Sequence, residues 1–520
     1  MKRRDFIVLT AASGAALMLP RSLTRGSDQI KFSDPDFQTL ADEALNTAKM
    51  KGASYADIRI NRYLNQSIST REKRVLNISN DESYGFGVRV LVDGTWGFAA
   101  SNVVTKDEVS RISGEAVQIA KANKILQKEP VQLARVPAYQ DVWKTPIQSN
   151  PFNVPISDKL GLLLRINEEA LKVPGASFCS SFMQMANEHK FFASTEGSYI
   201  EQDFIRMWPA FTVTSVNKET GKFESRNSLT EPIGKGYECV DEKFLLEDAR
   251  HAAEEAVMKH SAKSVEPGKR DLILHPTNLW LTIHESVGHP TELDRALGYE
   301  ANYAGTSFLT LDKLGKIKFG SDIINIVADK TQKDALATCG YDDDGVKTKE
   351  WYLIKDGVFV DYQTIREQAY ILGQKESDGC AYADSWSSIP FQRMPNVSLK
   401  PGTKKLLLDD LIANTEDAIM VKGRGSYSID HQRYNFQFSG QTFWEIKNGK
   451  VTQMLRDVAY QAKTTDFWNS CDAICSEEEY YIGGSFSDGK GEPGQSNSVS
   501  HGCCPARFRQ VNILNTGRKL

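Results

Sequence analysis

"DLILHPTNLWLTIHESVGHP", residues 271–290, reads as a short apolar strand that runs straight into a helix. Pro276 and Thr277 suit a first helical turn, where the missing proline N–H leaves nothing unpaired, and Pro290 stops the helix. The helix carries His284, Glu285 and His289. In the familiar zinc-protease spacing two histidines four apart share a helix face, with a glutamate as general base; here they stand five apart. At 3.6 residues per turn, five positions sweep roughly 500° and leave the rings about 140° apart on a regular helix. One ion can take both only if the backbone within Glu285 to His289 is a π turn, a kink or a helix end. Gly288 is the expected point of loosening. Histidine is scarce, eight in 520 residues, so two of them flanking a glutamate point to a metal. The competing reading is a helix C-terminus at which one histidine caps carbonyls.

Outward from this helix, Asp356-Gly357 within "WYLIKDGVFVDY" and Asn448-Gly449 within "FWEIKNGKVTQM" signal hairpins, so residues 268–520 form a β-rich C-terminal domain carrying a metal-binding helix. Upstream, residues 33–135 form an N-terminal α/β unit. It has a helix in "DFQTLADEALNTAKMKG", strands in "YADIRINRYLNQSIST" and "YGFGVRVLVDGTWGFAAS", an Asp93-Gly94 turn, and a second helix capped by Thr105 and Glu108. A proline-punctuated connection, residues 127–155, leads to a middle α+β unit at 150–262. Segregated helices and antiparallel hairpins make the whole chain α+β rather than doubly wound.

The chain is long enough for a substantial core. Its 63 basic and 67 acidic residues leave a net charge of −4 and no broad basic surface, so nucleic acid is not an expected partner. No run of 18 apolar residues suggests a membrane span in the mature chain. Residues 1–28 read as a twin-arginine export signal: Lys2, Arg3 and Arg4 precede an apolar run from Phe6 to Leu19. That implies export, to the periplasm, with a cytoplasmic location if the signal does not function. Of eight cysteines, Cys179, Cys239, Cys339 and Cys380 are scattered, while Cys471 and Cys475 fit a disulfide or buried thiols equally well.

Other motifs fail. Gly85 and Gly87 lie between strands, without the helix a dinucleotide fingerprint needs. The segment around Lys490 lacks P-loop order. Asp342, Asp343 and Asp344 lack calcium-loop spacing and read as a solvated turn.

"HESVGHPTELDRALGYEANYAGTSF" (284–308), "GYDDDGVKTKEWYLIKDGVFVDY" and the N-terminal "YADIRI" together resemble the TldD/PmbA family, also called modulators of DNA gyrase, over nearly the whole mature chain. The His-Glu-x-x-x-His motif places the chain on the TldD side, since the PmbA branch lacks it. The resemblance implies a zinc metallopeptidase with one Zn2+ per chain, acting on short or unfolded peptides in an enclosed chamber, and paired with a metal-less PmbA-like subunit or a second copy. Glu285 would be the general base, and Glu292 or Asp294 could orient the histidines. Two other readings stand beside it: a non-catalytic metal-containing subunit or scaffold, and a hydrolase of non-peptide bonds. The family commonly supplies a third ligand as a cysteine before Gly-Lys in the C-terminal glycine-rich loop; this chain has Asp488 there. Cys503 in "SHGCCPARF" is favoured as the substitute thiolate, since Gly502 allows close backbone approach, with Asp488, His501 and Cys504 as alternatives.

Overall fold

The computed structural model describes residues 37–517, so the export-signal reading of residues 1–28 lies outside the described residues. Seven strands build the first sheet: β1 (Tyr55–Arg71), β2 (Arg74–Val92), β3 (Thr95–Ser101), β4 (Gln140–Lys144), β5 (Ala176–Ser194), β6 (Tyr199–Val216) and β7 (Phe223–Asn227). Their order is β3-β2-β1-β5-β6-β4, with β7 also on β6. β1 pairs antiparallel with β5 from Asp57–Ser194 to Arg71–Ser180. The N-terminal and middle units, expected as separate bodies at 33–135 and 150–262, are therefore halves of one sheet. Pairing two long strands satisfies edges that each unit alone would leave open.

Helices α1 (Phe37–Met50) and α2 (Lys106–Asn123) cover one end of this sheet, and α3 (Ile156–Leu171) and α4 (Glu242–Met258) the other. The period of two along β1 explains how one strand serves both pairs: Ile58 and Ile60 pack under α1 and α2, and Ile68 under α3 and α4, all on the same face. Odd-numbered neighbours turn the other way. Asp57, Arg59 and Asn61 are buried too, against the C-terminal domain.

That polar face corrects the reading of Asp342, Asp343 and Asp344 as a solvated turn. All three are buried. Arg89 on β2 bonds Asp57 at 2.7 Å and Asp344 at 2.6 Å, Lys190 on β5 bonds Asp343 at 3.0 Å, and Asp342 accepts from the Ala381 and Val346 amides. Three consecutive carboxylates can be buried because cations of the first sheet meet Asp343 and Asp344 and backbone amides meet Asp342.

In the C-terminal domain five strands close a circuit. Gly268–Leu274 runs parallel to Asp417–Ile429, which pairs with Asn435–Lys447, then Val458–Lys463, then Ala506–Asn515, and so back to Gly268–Leu274. Helix α5 (Pro276–Ile283) leaves the first of these strands and all eight of its residues are buried. An apolar helix of this kind is stable only with protein on every side. Leu279 and Ile283 join Phe436, Phe438, Tyr460 and Phe508 in one core, and the Tyr460 hydroxyl bonds Asn278 and Thr282. The three expected hairpin turns all have φ > 0 at both central residues: 50° and 76° at Asp93-Gly94, 49° and 76° at Asp356-Gly357, 50° and 74° at Asn448-Gly449. The architecture is α+β, as the patterning implies. No helix among the described residues is long and apolar enough to cross a membrane.

Arg89→Met would strand two buried carboxylates. Breaking a buried pair by removing one partner costs about 3–5 kcal/mol, so the urea midpoint should fall substantially. The double variant Arg89→Met/Asp344→Asn should lose less than the two single changes summed, which a double-mutant cycle checks.

Candidate metal centre

His275 caps the helix, its Nδ1 accepting from the Thr277 amide at 3.3 Å, and Pro276 takes the first helical position. The α-helix ends at Ile283. Residues His284–Gly288 form a π turn in which the His289 amide donates to the His284 carbonyl, five residues back. That extra residue supplies the departure the five-residue spacing demands: the two imidazoles face each other with ring centroids 4.6 Å apart. Side chains take up carbonyls around the widened turn. Thr291 Oγ1 donates to the Val287 carbonyl at 2.8 Å and Gln363 Nε2 to that of Gly288 at 2.6 Å. Gly288 does not loosen the helix, since its backbone stays helical at φ −54°, ψ −63°. It is needed for space: a Cβ there would meet Met394 Sδ at 2.5 Å.

The third group is Asp488. Its Oδ1 lies 3.3 Å from His284 Nε2 and 3.8 Å from His289 Nε2. Among the described residues these three form the cluster of ligand-type atoms that lie within 4.8 Å of one another, and all three are buried. Donors about 2.0–2.2 Å from a tetrahedral zinc stand about 3.3–3.6 Å apart; the 3.3 Å separation lies in that range and the 3.8 Å one just beyond it, so a small closing of His289 toward Asp488 fits two imidazoles and one carboxylate to such an ion. Burial alone would raise the Asp488 carboxyl; His284 beside it, with His289 and Arg393, outweighs burial and holds it well below the usual carboxylate range.

Cys503 does not join the cluster, which corrects its expected role. The glycine-rich segment is a paired hairpin, Tyr481–Lys490 with Gln495–Cys503, in which Asp488 stands opposite Asn497. The returning strand lies along α5. His501 meets His284, while Cys503 Sγ sits 3.8 Å from the Pro276 carbonyl, eight residues earlier on the helix and so about 12 Å along it at 1.5 Å per residue. Cys504 turns away, its Sγ 3.2 Å from the Ser476 carbonyl. All eight cysteines are free thiols.

His501, an alternative ligand on sequence grounds, stands behind one. Its Nδ1 donates to the Val397 carbonyl at 2.8 Å, so its Nε2 carries the lone pair and accepts from His284 Nδ1 at 2.7 Å. Burial and the neighbouring His284 push the His501 pKa well below its ordinary value, in keeping with a neutral ring. This relay leaves His284 Nε2 bare toward Asp488. His289 is held likewise: its Nδ1 meets Glu292 Oε2 at 3.0 Å. Glu292 is braced by Arg295 Nε at 3.0 Å and Lys490 Nζ at 3.2 Å; Lys490 also bonds Asp294 at 2.9 Å and Gln392. Burial would raise the Glu292 carboxyl, but Lys490 and Arg295 outweigh it and hold it well below the usual range. Of the two orienting candidates, Glu292 touches a histidine and Asp294 acts one residue further out.

Glu285, on the same π turn, is 4% exposed, and its carboxylate accepts from the Tyr427 hydroxyl. Its Oε2 has no hydrogen-bond partner and faces Arg433 Nε at 3.6 Å. Tyr427 and Arg433 were not legible as site residues, because each comes from a distant segment with no motif of its own; Arg295 and Lys490 lie within the quoted motif and the Gly-Lys segment, but no local pattern shows that they meet at Glu292.

A sequence profile of the PmbA/TldA metallopeptidase C-terminal domain matches residues 267–515, and one of the PmbA/TldA metallopeptidase domain 1 matches residues 56–120. A metalloprotease of Methanocaldococcus jannaschii is 29% identical over 443 residues, covering 84% of this chain and 93% of its own. A zinc metalloprotease TldD homolog of Saccharolobus solfataricus is 23% identical over 476 residues, 90% of this chain and 98% of its own. Among solved structures, TldE from Thermococcus kodakarensis superposes with a TM-score of 0.67 at 17% identity, over 91% of this chain and 99% of that one. A Bacteroides thetaiotaomicron protein described as a modulator of DNA gyrase superposes at 0.72 and 18%, over 92% and 99%. These structural likenesses speak to the fold.

His501→Ala should weaken zinc binding about 10–100-fold, the usual cost of losing a ligand's hydrogen-bond partner, and Asp488→Asn should weaken it further. Cys503→Ser should leave it unchanged. Competition against a chromogenic chelator reads all three.

Proposed function

This chain belongs to the PmbA/TldD family of metallopeptidases, and on that premise we propose that it is a zinc-dependent peptidase whose ion is held by His284 Nε2, His289 Nε2 and Asp488 Oδ1. The observation that carries the reading is the convergence of these three buried donors beside a glutamate on the same widened turn. Zinc, when bound, supplies Lewis acidity that polarises a carbonyl and makes water more acidic. The remaining work falls to the chain. Glu285 takes the proton of the attacking water and returns it to the leaving amine as the C–N bond breaks. The His501 and Glu292 bonds keep both imidazoles neutral at Nε2 and fixed in direction, so ligand reorganisation adds little to the barrier.

The substrates of this proposal are short or unfolded peptides: His284, His289 and Glu285 are each no more than 5% exposed, which disfavours attack on the surface of a folded protein. Pairing with a metal-less PmbA-like subunit or a second copy, and export through the twin-arginine signal of residues 1–28, belong to the same proposal. They rest on sequence resemblance.

Glu285→Gln keeps the shape and both imidazoles and removes the proton acceptor. It should retain zinc and lower kcat for an unstructured fluorogenic peptide by about 10²–10⁴-fold, with KM little changed. Wild-type activity should vanish with chelator and return on adding zinc. A zinc-loaded Glu285→Gln protein working at the wild-type rate would refute the assignment.

A further inference from the structure

Arg433 lies in the turn between strands Asp417–Ile429 and Asn435–Lys447, and is built there at some cost. Its φ is +64°, a left-handed conformation that branched or long side chains seldom adopt. The turn is braced from several directions. Asp430 accepts from the Gln432, Tyr434 and Asn435 amides at 3.0, 2.9 and 2.9 Å, Thr464 Oγ1 donates to the Arg433 carbonyl at 2.8 Å, and the Thr306 amide donates to the His431 carbonyl at 2.8 Å. Gly305 packs so tightly on this turn that a Cβ would lie 2.2 Å from the His431 carbonyl oxygen. Strained residues held by such bracing gather at functional sites.

Only 9% exposed, Arg433 bonds the Asp430 carbonyl through Nη1 at 3.3 Å, and its Nε, buried, has no partner. That Nε points at Glu285 Oε2, also buried and unpartnered, across 3.6 Å. A simple ion pair would close this gap. Several buried pairs do close it, Arg89 with Asp57 at 2.7 Å, Arg206 with Glu188 at 2.8 Å and Arg226 with Glu255 at 2.8 Å, whereas Arg59 and Asp343 stand 3.6 Å apart as Arg433 and Glu285 do. The braced turn holds the Arg433 guanidinium beside Glu285 and short of a hydrogen bond to it, with Nε unpaired and buried at the edge of the site.

We infer that Arg433 is a catalytic residue whose guanidinium donates to the oxygen of the scissile carbonyl as that oxygen gains charge. This rests on the reading of the site as a peptidase. As the water oxygen bonds to the carbonyl carbon, the C=O π pair moves onto the carbonyl oxygen, and the water proton passes to Glu285. Arg433 N–H bonds to that oxygen strengthen as its charge grows. When the C–N bond breaks, the pair returns to re-form C=O, and Glu285 delivers its proton to the departing nitrogen. A donor whose bond is stronger in the transition state than in the bound substrate raises kcat more than it lowers KM.

The test uses the zinc-loaded full chain with Arg433→Met and Arg433→Lys. Zinc content, thermal unfolding, and kcat and KM are measured on one unstructured peptide with free and with amidated C-terminus. Affinities are measured for two peptide analogues, a phosphinic one that mimics the tetrahedral oxyanion and a reduced-amide one that lacks the oxygen. Losing one oxyanion donor costs about 10²–10³ in kcat. Arg433→Met should show that fall on both peptides, with KM changed less than about threefold, zinc content unchanged, and weakened binding of the phosphinic analogue alone; Arg433→Lys, which keeps the charge but not the planar fork, should fall between. Equal weakening of both analogues, or loss of zinc, would make Arg433 structural and overturn the assignment. A loss confined to the free C-terminus would instead make it a carboxylate anchor, and unchanged kcat in both variants would also overturn it. Failure of the peptidase reading is told apart by the wild-type protein, which would then neither cleave peptide nor bind either analogue.

Discussion

Two imidazoles five residues apart can share one ion only if the helix between them is widened by a residue, and much of the C-terminal domain serves that requirement. A π turn is poorer in regular hydrogen bonds than the α-helix it interrupts. Here Thr291 and Gln363 take up carbonyls at the turn, Trp468 bonds Ser286 at 3.0 Å, and Met394 occupies the space that Gly288 leaves free. The Thr291 bond is local, four residues along the same segment, but Gln363, Met394 and Trp468 come from segments far away in sequence, so the widened turn depends on the folded domain around it.

The same economy governs charge. In the donor set proposed for the metal, a carboxylate where the family resemblance implies a thiolate keeps one formal negative charge but exchanges a soft ligand for a hard one. Asp488 and Lys490 sit two apart on one strand. The first faces the histidines, and the second neutralises Glu292 and Asp294 behind His289. His501 orients His284 without adding charge, because its own proton is committed to the Val397 carbonyl. The site thus holds both rings in one tautomer by two different means, a neutral relay on one side and a braced carboxylate on the other.

Farther out, the first sheet is bound to the C-terminal domain through buried ion pairs beside a small apolar cluster of Phe192, Ile200 and Tyr341. Arg89, Lys190 and Arg59 meet the Asp342–Asp344 turn. Charged contacts of this kind are poor sources of net stability but demanding in geometry, so they set the register of one domain on the other.

The amino-acid sequence by itself determined the α+β class, the three hairpin turns with their positive φ angles, the helix that begins at Pro276, and the need for a break between His284 and His289. Each follows from local sterics: turn residues, proline placement and helical pitch act over a few neighbouring positions. The order of the first sheet, the burial of three consecutive aspartates, and the choice of Asp488 over Cys503 beside the histidines were decided only in three dimensions. Strand register made that last choice. The hairpin that pairs Asp488 with Asn497 is local, but its docking along the helix, which sets His501 at His284 and Cys503 two helical turns away at Pro276, joins segments some two hundred residues apart, which no local pattern records.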